Sequence, residues 1–316
     1  MDELNRIIQN CLDEITDYDY EDYSAVKKAS EIILSNRMPI FKNKIKSRFG
    51  LSKSLSLAYE FLDSLGYGDY FLDKIDDGTF KFKHVSKKNK ENPLSYYNNR
   101  LCRSEIYMPY SNSIIDAYSI VHELLHDTNL DMDNMGDTRN IFTEYISMLG
   151  EFLLENFIKE KYDINGFKKD VNHNFTCCYN NALLVDFQLN LIKCYLVNGY
   201  VNNYYLNTII NKYDPKCHGL LFNFCYSILD NKSLNFDFYM RYLIGILLSC
   251  YSYDMFLDKR FDLDSFTYIN ENMNFLEPDE VYEYLGLEVI DDYNLLLSPD
   301  SYDKLDKSYR KILGSR

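Results

Sequence analysis

Two histidines four residues apart, His122 and His126, enclose a glutamate in VHELLHDTNL (121–130), within a chain that has only five histidines. Positions four apart project from one face of a helix, so both rings can reach a single metal ion. Glu123 lies about 100° further round the helix. There it can act on a water at that metal without ligating it, the arrangement that H-E-x-x-H encodes. A zinc site of this kind needs a third protein ligand and an open fourth position. The stretch TRNIFTEYISMLGEFLLENF (138–157) predicts a second helix, whose apolar residues Ile141, Phe142, Tyr145, Ile146, Leu149, Phe152 and Leu153 would pack it on the first. Glu144 falls in its first turn, nearest the loop, and is the expected third ligand. Glu151 shares its face and is expected to orient a histidine ring. Two plainer origins produce the same residues: satisfied histidines on a buried face, and a first-turn glutamate favoured by the helix dipole.

Other chemistry-bearing residues form weaker patterns. DMDNMG (131–136) begins like a calcium loop, but Met135 replaces an oxygen ligand and Phe142 stands where the bidentate glutamate belongs. The neighbours Cys177-Cys178 and Cys217-His218 lack zinc-ligand spacing, and His84 and His173 have no evident partner. GYGDY (66–70) has no following Gly-Lys and is no phosphate loop.

The elements that must position His122 and its neighbours are mostly helical. Only 12 glycines and 6 prolines occur in 316 residues, and 3.6-residue periodicity covers roughly 3–16, 23–48, 52–66, 112–128, 139–160, 180–198, 218–230, 236–257, 278–285 and 301–313. DKIDDGTFKFKHV reads as a hairpin turned by Asp77-Gly78. KKNKENPLSYYNN (87–99) reads as a loop. RSEIYMPY (103–110) reads as a short strand, with Pro109 marking a sheet edge. A boundary near residue 100 would divide an N-terminal helical part with the hairpin (1–100) from a catalytic part (101–316). The net charge of −14 argues against nucleic acid and anionic membrane surfaces as partners. The N-terminus lacks a secretory pattern, and YLIGILLSC (242–250) is too short to span a bilayer. The eight scattered cysteines form no C-x-x-C pair. These features lead us to expect a soluble, cytoplasmic protein; its oligomeric state is open.

IYMPYSNSIIDAYSIVHELLH (106–126), followed by TEYISMLGEFLL (143–154), resembles the active-site region of the oligoendopeptidase F and thimet oligopeptidase family of zinc metallopeptidases, which are gluzincins. SLSLAYEFLDSLGYGDYF (54–71) resembles the helix before that family's active-site hairpin, and FYMRYLIGILLSCYSYDMF (238–256) its tyrosine-bearing helix. The likeness covers roughly 50–160 and 236–256. It implies a mainly α, zincin-like catalytic domain holding one zinc per chain on His122, His126 and Glu144, with Glu123 as general base and short peptides as substrates. It also implies that Tyr242, and next to it Tyr239, donates to the oxyanion. The strand Ile106–Tyr110 would bind substrate backbone by β-addition. The chain departs from the family in Leu125, where glycine is usual, in Asn129, where a third histidine often stands, and in having no histidine ahead of the tyrosines. It is also about half the usual length. Two other functions remain open at this point: an inactive relative acting as a peptide- or protein-binding module, and a zinc protease cleaving one specific protein.

Overall fold

The computed structural model describes residues 1–16, 24–36, 49–86, 91–129, 141–162, 171–234, 236–291 and 296–315. Within them the chain is mainly helical. The helices are α1 (Asp2–Thr16), α2 (Ser24–Ser35), α3 (Leu51–Ser64), α4 (Gly68–Asp76), α5 (Ile115–Asp127), α6 (Ile141–Tyr162), α7 (Val171–Asn198), α8 (Asn203–Ile210), α9 (His218–Asn231), α10 (Phe236–Leu257), α11 (Leu263–Asn272), α12 (Pro278–Tyr284) and α13 (Pro299–Gly314). The strands are β1 (Phe80–His84), β2 (Leu94–Asn98), β3 (Arg103–Tyr110), β4 (Val289–Asp291) and β5 (Leu296–Leu297).

Helix α6 lies at the centre. From Phe142 to Leu154 nearly every residue is buried, as a helix that is apolar around most of its circumference requires. It packs against α5 on one side and α10 on another, and the α6–α10 contact is the most extensive between helices. Small residues on α10 allow this. A Cβ at Gly245 would stand 3.1 Å from both Glu144 Cβ and the Tyr145 backbone nitrogen. One turn on, Ser249 donates to the Tyr145 carbonyl at 2.9 Å. On α5, Leu125 is matched to α6 in the same way, since a Cβ at Gly150 would fall 2.2 Å from Leu125 Cδ1. The remaining helices enclose this trio: α3 covers α5, while α2 and α13 cover α10. Residues on both sides of position 100, among them Leu4, Ile33, Phe61, Val121, Leu247 and Ile312, share one hydrophobic core. Each large apolar side chain buried there contributes about 1.5–3 kcal/mol.

The three-stranded sheet has the order β1-β3-β2, with β1 parallel and β2 antiparallel to β3. Three expectations change here. Residues 73–76 end a helix rather than form a strand; Gly78, at φ 73°, then turns the chain into β1. The partner of β1 is β3, with Phe80 opposite Ile106 and His84 opposite Tyr110, and the hairpin before α5 is instead β2–β3. The loop expected over 87–99 contains β2. Lastly, β3 is the central strand. Pro109 is tolerated because Ile106 N–H bonds towards β1, so alternate positions 107 and 109 face β2. β2 ends its pairing at Leu94 with Tyr107, and the N–H that proline lacks would have met no partner.

The elements absent from the sequence reading are short: the helices α4, α8 and α11 and the strand pair β4–β5. Asn202 caps α8 by accepting from Tyr205 N–H, and Asp262 caps α11 by accepting from Ser265 N–H. Both are start signals present in the sequence. The calcium-like stretch 131–136 and the C-terminal part of the helix expected to 48 lie outside the described residues. No described helix is long and apolar enough to cross a membrane.

Candidate metal centre

His122 and His126 come from consecutive turns of α5, and Glu144 comes from the first turn of α6 where it crosses α5. Their nitrogen and oxygen atoms converge. His122 Nε2 and His126 Nε2 are 3.0 Å apart, and Glu144 Oε2 stands 3.6 and 3.7 Å from them. Ligand atoms of one tetrahedral zinc at ordinary bond lengths lie about 3.4 Å apart, so the three separations bracket that value. Glu144 Oε2 is buried and has no hydrogen-bond partner. An orphaned carboxylate oxygen facing two imidazoles has the chemistry of a metal ligand. Among the described residues this is the one group of three such side chains close enough to share an ion.

The neighbouring shell fixes these atoms. Glu151 Oε1 meets His122 Nδ1 at 2.7 Å, which leaves Nε2 to face the cluster. Asn174 of α7 donates to the other Glu151 oxygen at 2.9 Å. Burial pushes the His122 pKa down, but the hydrogen bond and charge of Glu151, with the charges of Glu144 and Glu123, outweigh it and lift it to about 9. Burial would raise the Glu144 pKa. The His126 imidazole facing it, joined by the charges of His122 and Arg241, brings it instead to about 2. The cluster therefore carries anionic oxygen beside an imidazole that holds a proton a cation can displace.

Glu123 is buried, and its Oε2 accepts from Ser95 Oγ at 2.8 Å. The same hydroxyl lies 2.7 Å from the Glu123 carbonyl. Ser95 belongs to β2, which together with β3 packs on α5. The far end of α5 is held by an ion pair between Lys74 Nζ and Asp127 Oδ2 at 2.7 Å, with Tyr70 donating to the same oxygen at 2.6 Å. Asn129 turns away from the cluster. It donates to Asn270 at 2.7 Å, and Asn270 donates to Tyr67, so Asn129 is a buried clamp to α11.

The two tyrosines separate. Tyr242 lies next to Glu144: burial and then the Glu144 charge push its pKa up, while Arg241 pulls it down. Tyr239 packs edge-on against Phe224, with ring centroids 5.9 Å apart, and burial alone raises its pKa. The structure thus brings His122, His126, Glu144, Glu123, Glu151 and Tyr242 together and leaves Tyr239 in an aromatic contact. Sequence reasoning missed Ser95 and Asn174, which reach the site from distant elements with no spacing to announce them. It also missed Arg241, although a lone cation inside FYMRYLIG was a readable signal.

The weaker residues have local partners. His84 packs on Tyr110, His173 lies 3.4 Å from Cys177 Sγ one turn along α7, and His218 meets the Tyr213 carbonyl at 3.1 Å. All eight cysteines are free. Comparison with protein-family models, curated proteins and solved structures finds no match for this chain.

Proposed function

We propose that this protein is a zinc-dependent peptidase with a zincin-like catalytic domain, of the kind represented by the oligoendopeptidase F and thimet oligopeptidase family. The observation that carries the reading is the convergence of His122, His126 and Glu144 at separations suited to one tetrahedral ion, with Glu123 on the adjoining part of α5. Zinc held by these three residues would lower the pKa of a water molecule and polarise a scissile carbonyl.

The chain's own residues supply the rest. Glu123 takes the proton from the attacking water and passes it to the leaving amine. Ser95 holds one Glu123 oxygen, so the other is aimed at the water. Glu151 and Asn174 fix the His122 tautomer. Tyr242 donates its hydroxyl to the oxyanion, and Tyr239 supports the helix that carries it. Because β3 is flanked on both sides, the substrate backbone pairs with the outer edge of β2, whose Ser95 already touches Glu123.

The test is hydrolysis of a mixed peptide library by zinc-loaded protein and by Glu123→Gln. The wild type is expected to cleave peptides, and Glu123→Gln to retain zinc while losing turnover by orders of magnitude. Near-normal turnover in a zinc-loaded Glu123→Gln protein would remove Glu123 from the reaction.

A further inference from the structure

Among the described residues Arg241 is a cation outside any salt bridge, although Glu144 feels its charge. The chain has 48 acidic residues against 34 Lys and Arg, yet among the described residues no carboxylate makes an ion pair with Arg241. Its Nε is sealed from solvent and has no hydrogen-bond partner. Buried donors are ordinarily satisfied, more so when they belong to a charged group. The guanidinium is held in place by stacking, 4.6 Å from the centre of the Phe238 ring and 5.1 Å from that of Tyr242. Phe238 is 47 % exposed, so this stack reaches the surface. On its inner side it adjoins Glu144, whose ionisation Arg241 favours. Arg241 therefore stands between the exposed Phe238 ring and Glu144, against Tyr242, with its Nε unpaired.

We propose that Arg241 is the anchor for a carboxylate of the substrate peptide. A planar guanidinium matches a carboxylate through paired N–H donors, and stacking on two rings fixes its plane before the ligand arrives. Two sources carry this chemistry: the free C-terminus of a peptide, and an Asp or Glu side chain near the scissile bond. The proposal rests on the peptidase reading, because it names the substrate feature which that site selects.

The experiment compares matched peptides on wild type, Arg241→Met and Arg241→Lys, with zinc content measured on each preparation. One pair of peptides differs in a C-terminal acid or amide, and a second in Glu or Gln. Wild type is expected to favour the charged member of one pair by about 10- to 100-fold in kcat/KM, the range of a hydrogen bond to a charged group. Arg241→Met should bring that ratio close to one with zinc content unchanged, and Arg241→Lys should keep part of it. Loss of preference in the first pair marks the C-terminus as the source, and in the second the side chain. Each ratio is internal to one protein, so partial loss of fold lowers both members and leaves the ratio readable. A second readout needs no turnover: calorimetric binding of N-acetylphenylalanine and of N-acetylglutamate amide, each against its uncharged amide, to metal-free and zinc-loaded protein. Arg241→Met should abolish the binding seen in wild type. If zinc-loaded wild type cleaves no peptide, the peptidase reading fails while the calorimetry still decides the anchor. Equal treatment of both peptide pairs by wild type, or carboxylate binding undiminished in Arg241→Met, overturns the assignment.

Discussion

Replacing Gly245 by alanine tests whether the close approach of α10 to α6 is what delivers Tyr242 to Glu144. The added Cβ would meet Glu144 Cβ at 3.1 Å, the Tyr145 nitrogen at 3.1 Å and the Glu144 carbonyl carbon at 3.2 Å. Favourable carbon contacts begin near 3.5 Å. None of the three atoms is the free end of a flexible side chain, so the helices must part by about 0.4 Å. Overpacking of this kind costs about 1–3 kcal/mol, and the better helix propensity of alanine returns about 1 kcal/mol. The net change is a loss of roughly 0–2 kcal/mol, a drop of a few degrees at most in melting temperature. Activity should suffer more than stability. A misplacement of about 1 Å can cost 100-fold, so a shift near half that size corresponds to about tenfold in kcat/KM, with weaker zinc retention. Gly219→Ala on α9 is the control: its Cβ would meet nothing within 4 Å, and stability should rise slightly at unchanged activity. Thermal melts, zinc competition and steady-state kinetics read all three quantities. A Gly245→Ala protein more stable than wild type, with undiminished zinc retention and turnover, would refute the argument.

Three further outcomes are expected. Tyr242→Phe should lower turnover by roughly 10²- to 10³-fold at similar KM, the loss typical of one oxyanion donor, whereas Tyr239→Phe should leave turnover unchanged; steady-state kinetics with melting curves would expose the reverse pattern. Ser95→Ala frees the Glu123 carboxylate and should cut kcat by about tenfold with zinc content intact, so an unaltered kcat would show that Glu123 needs no support from β2. Because the His122 pKa is raised to about 9 in the metal-free protein, the stabilisation from its proton is fully present below pH 6.5 and is lost as pH rises through 9. Zinc displaces that proton, so apparent zinc affinity should climb about tenfold per pH unit towards pH 9; a flat affinity profile between pH 7 and 9 would contradict the assignment.

The parts of the site legible in the sequence are those set by helix geometry. The spacing of His122, Glu123 and His126 fixes their faces on α5. The seven-residue separation of Glu144 and Glu151 puts both on the face of α6 that α5 meets. Long amphipathic or apolar stretches likewise announced α5, α6 and α10. The illegible parts depend on contacts between distant segments. Parallel pairing of β1 with β3 leaves no local mark, and Asp77-Gly78 serves a helix-to-strand turn as well as a hairpin. Ser95 and Asn174 are ordinary polar residues until β2 and α7 fold over α5 and α6. Pro109 was read through a rule about edges, but what matters is the direction in which its absent N–H would have pointed.

The central claim is that His122, His126 and Glu144 together hold one zinc, and elemental analysis of dialysed protein tests it most directly. Wild type is expected to retain one zinc per chain, while His126→Ala and Glu144→Gln, checked for helix content by circular dichroism, are expected to lose it. Folded His126→Ala protein with a full complement of zinc, or wild type that binds none when zinc is supplied, would contradict the account.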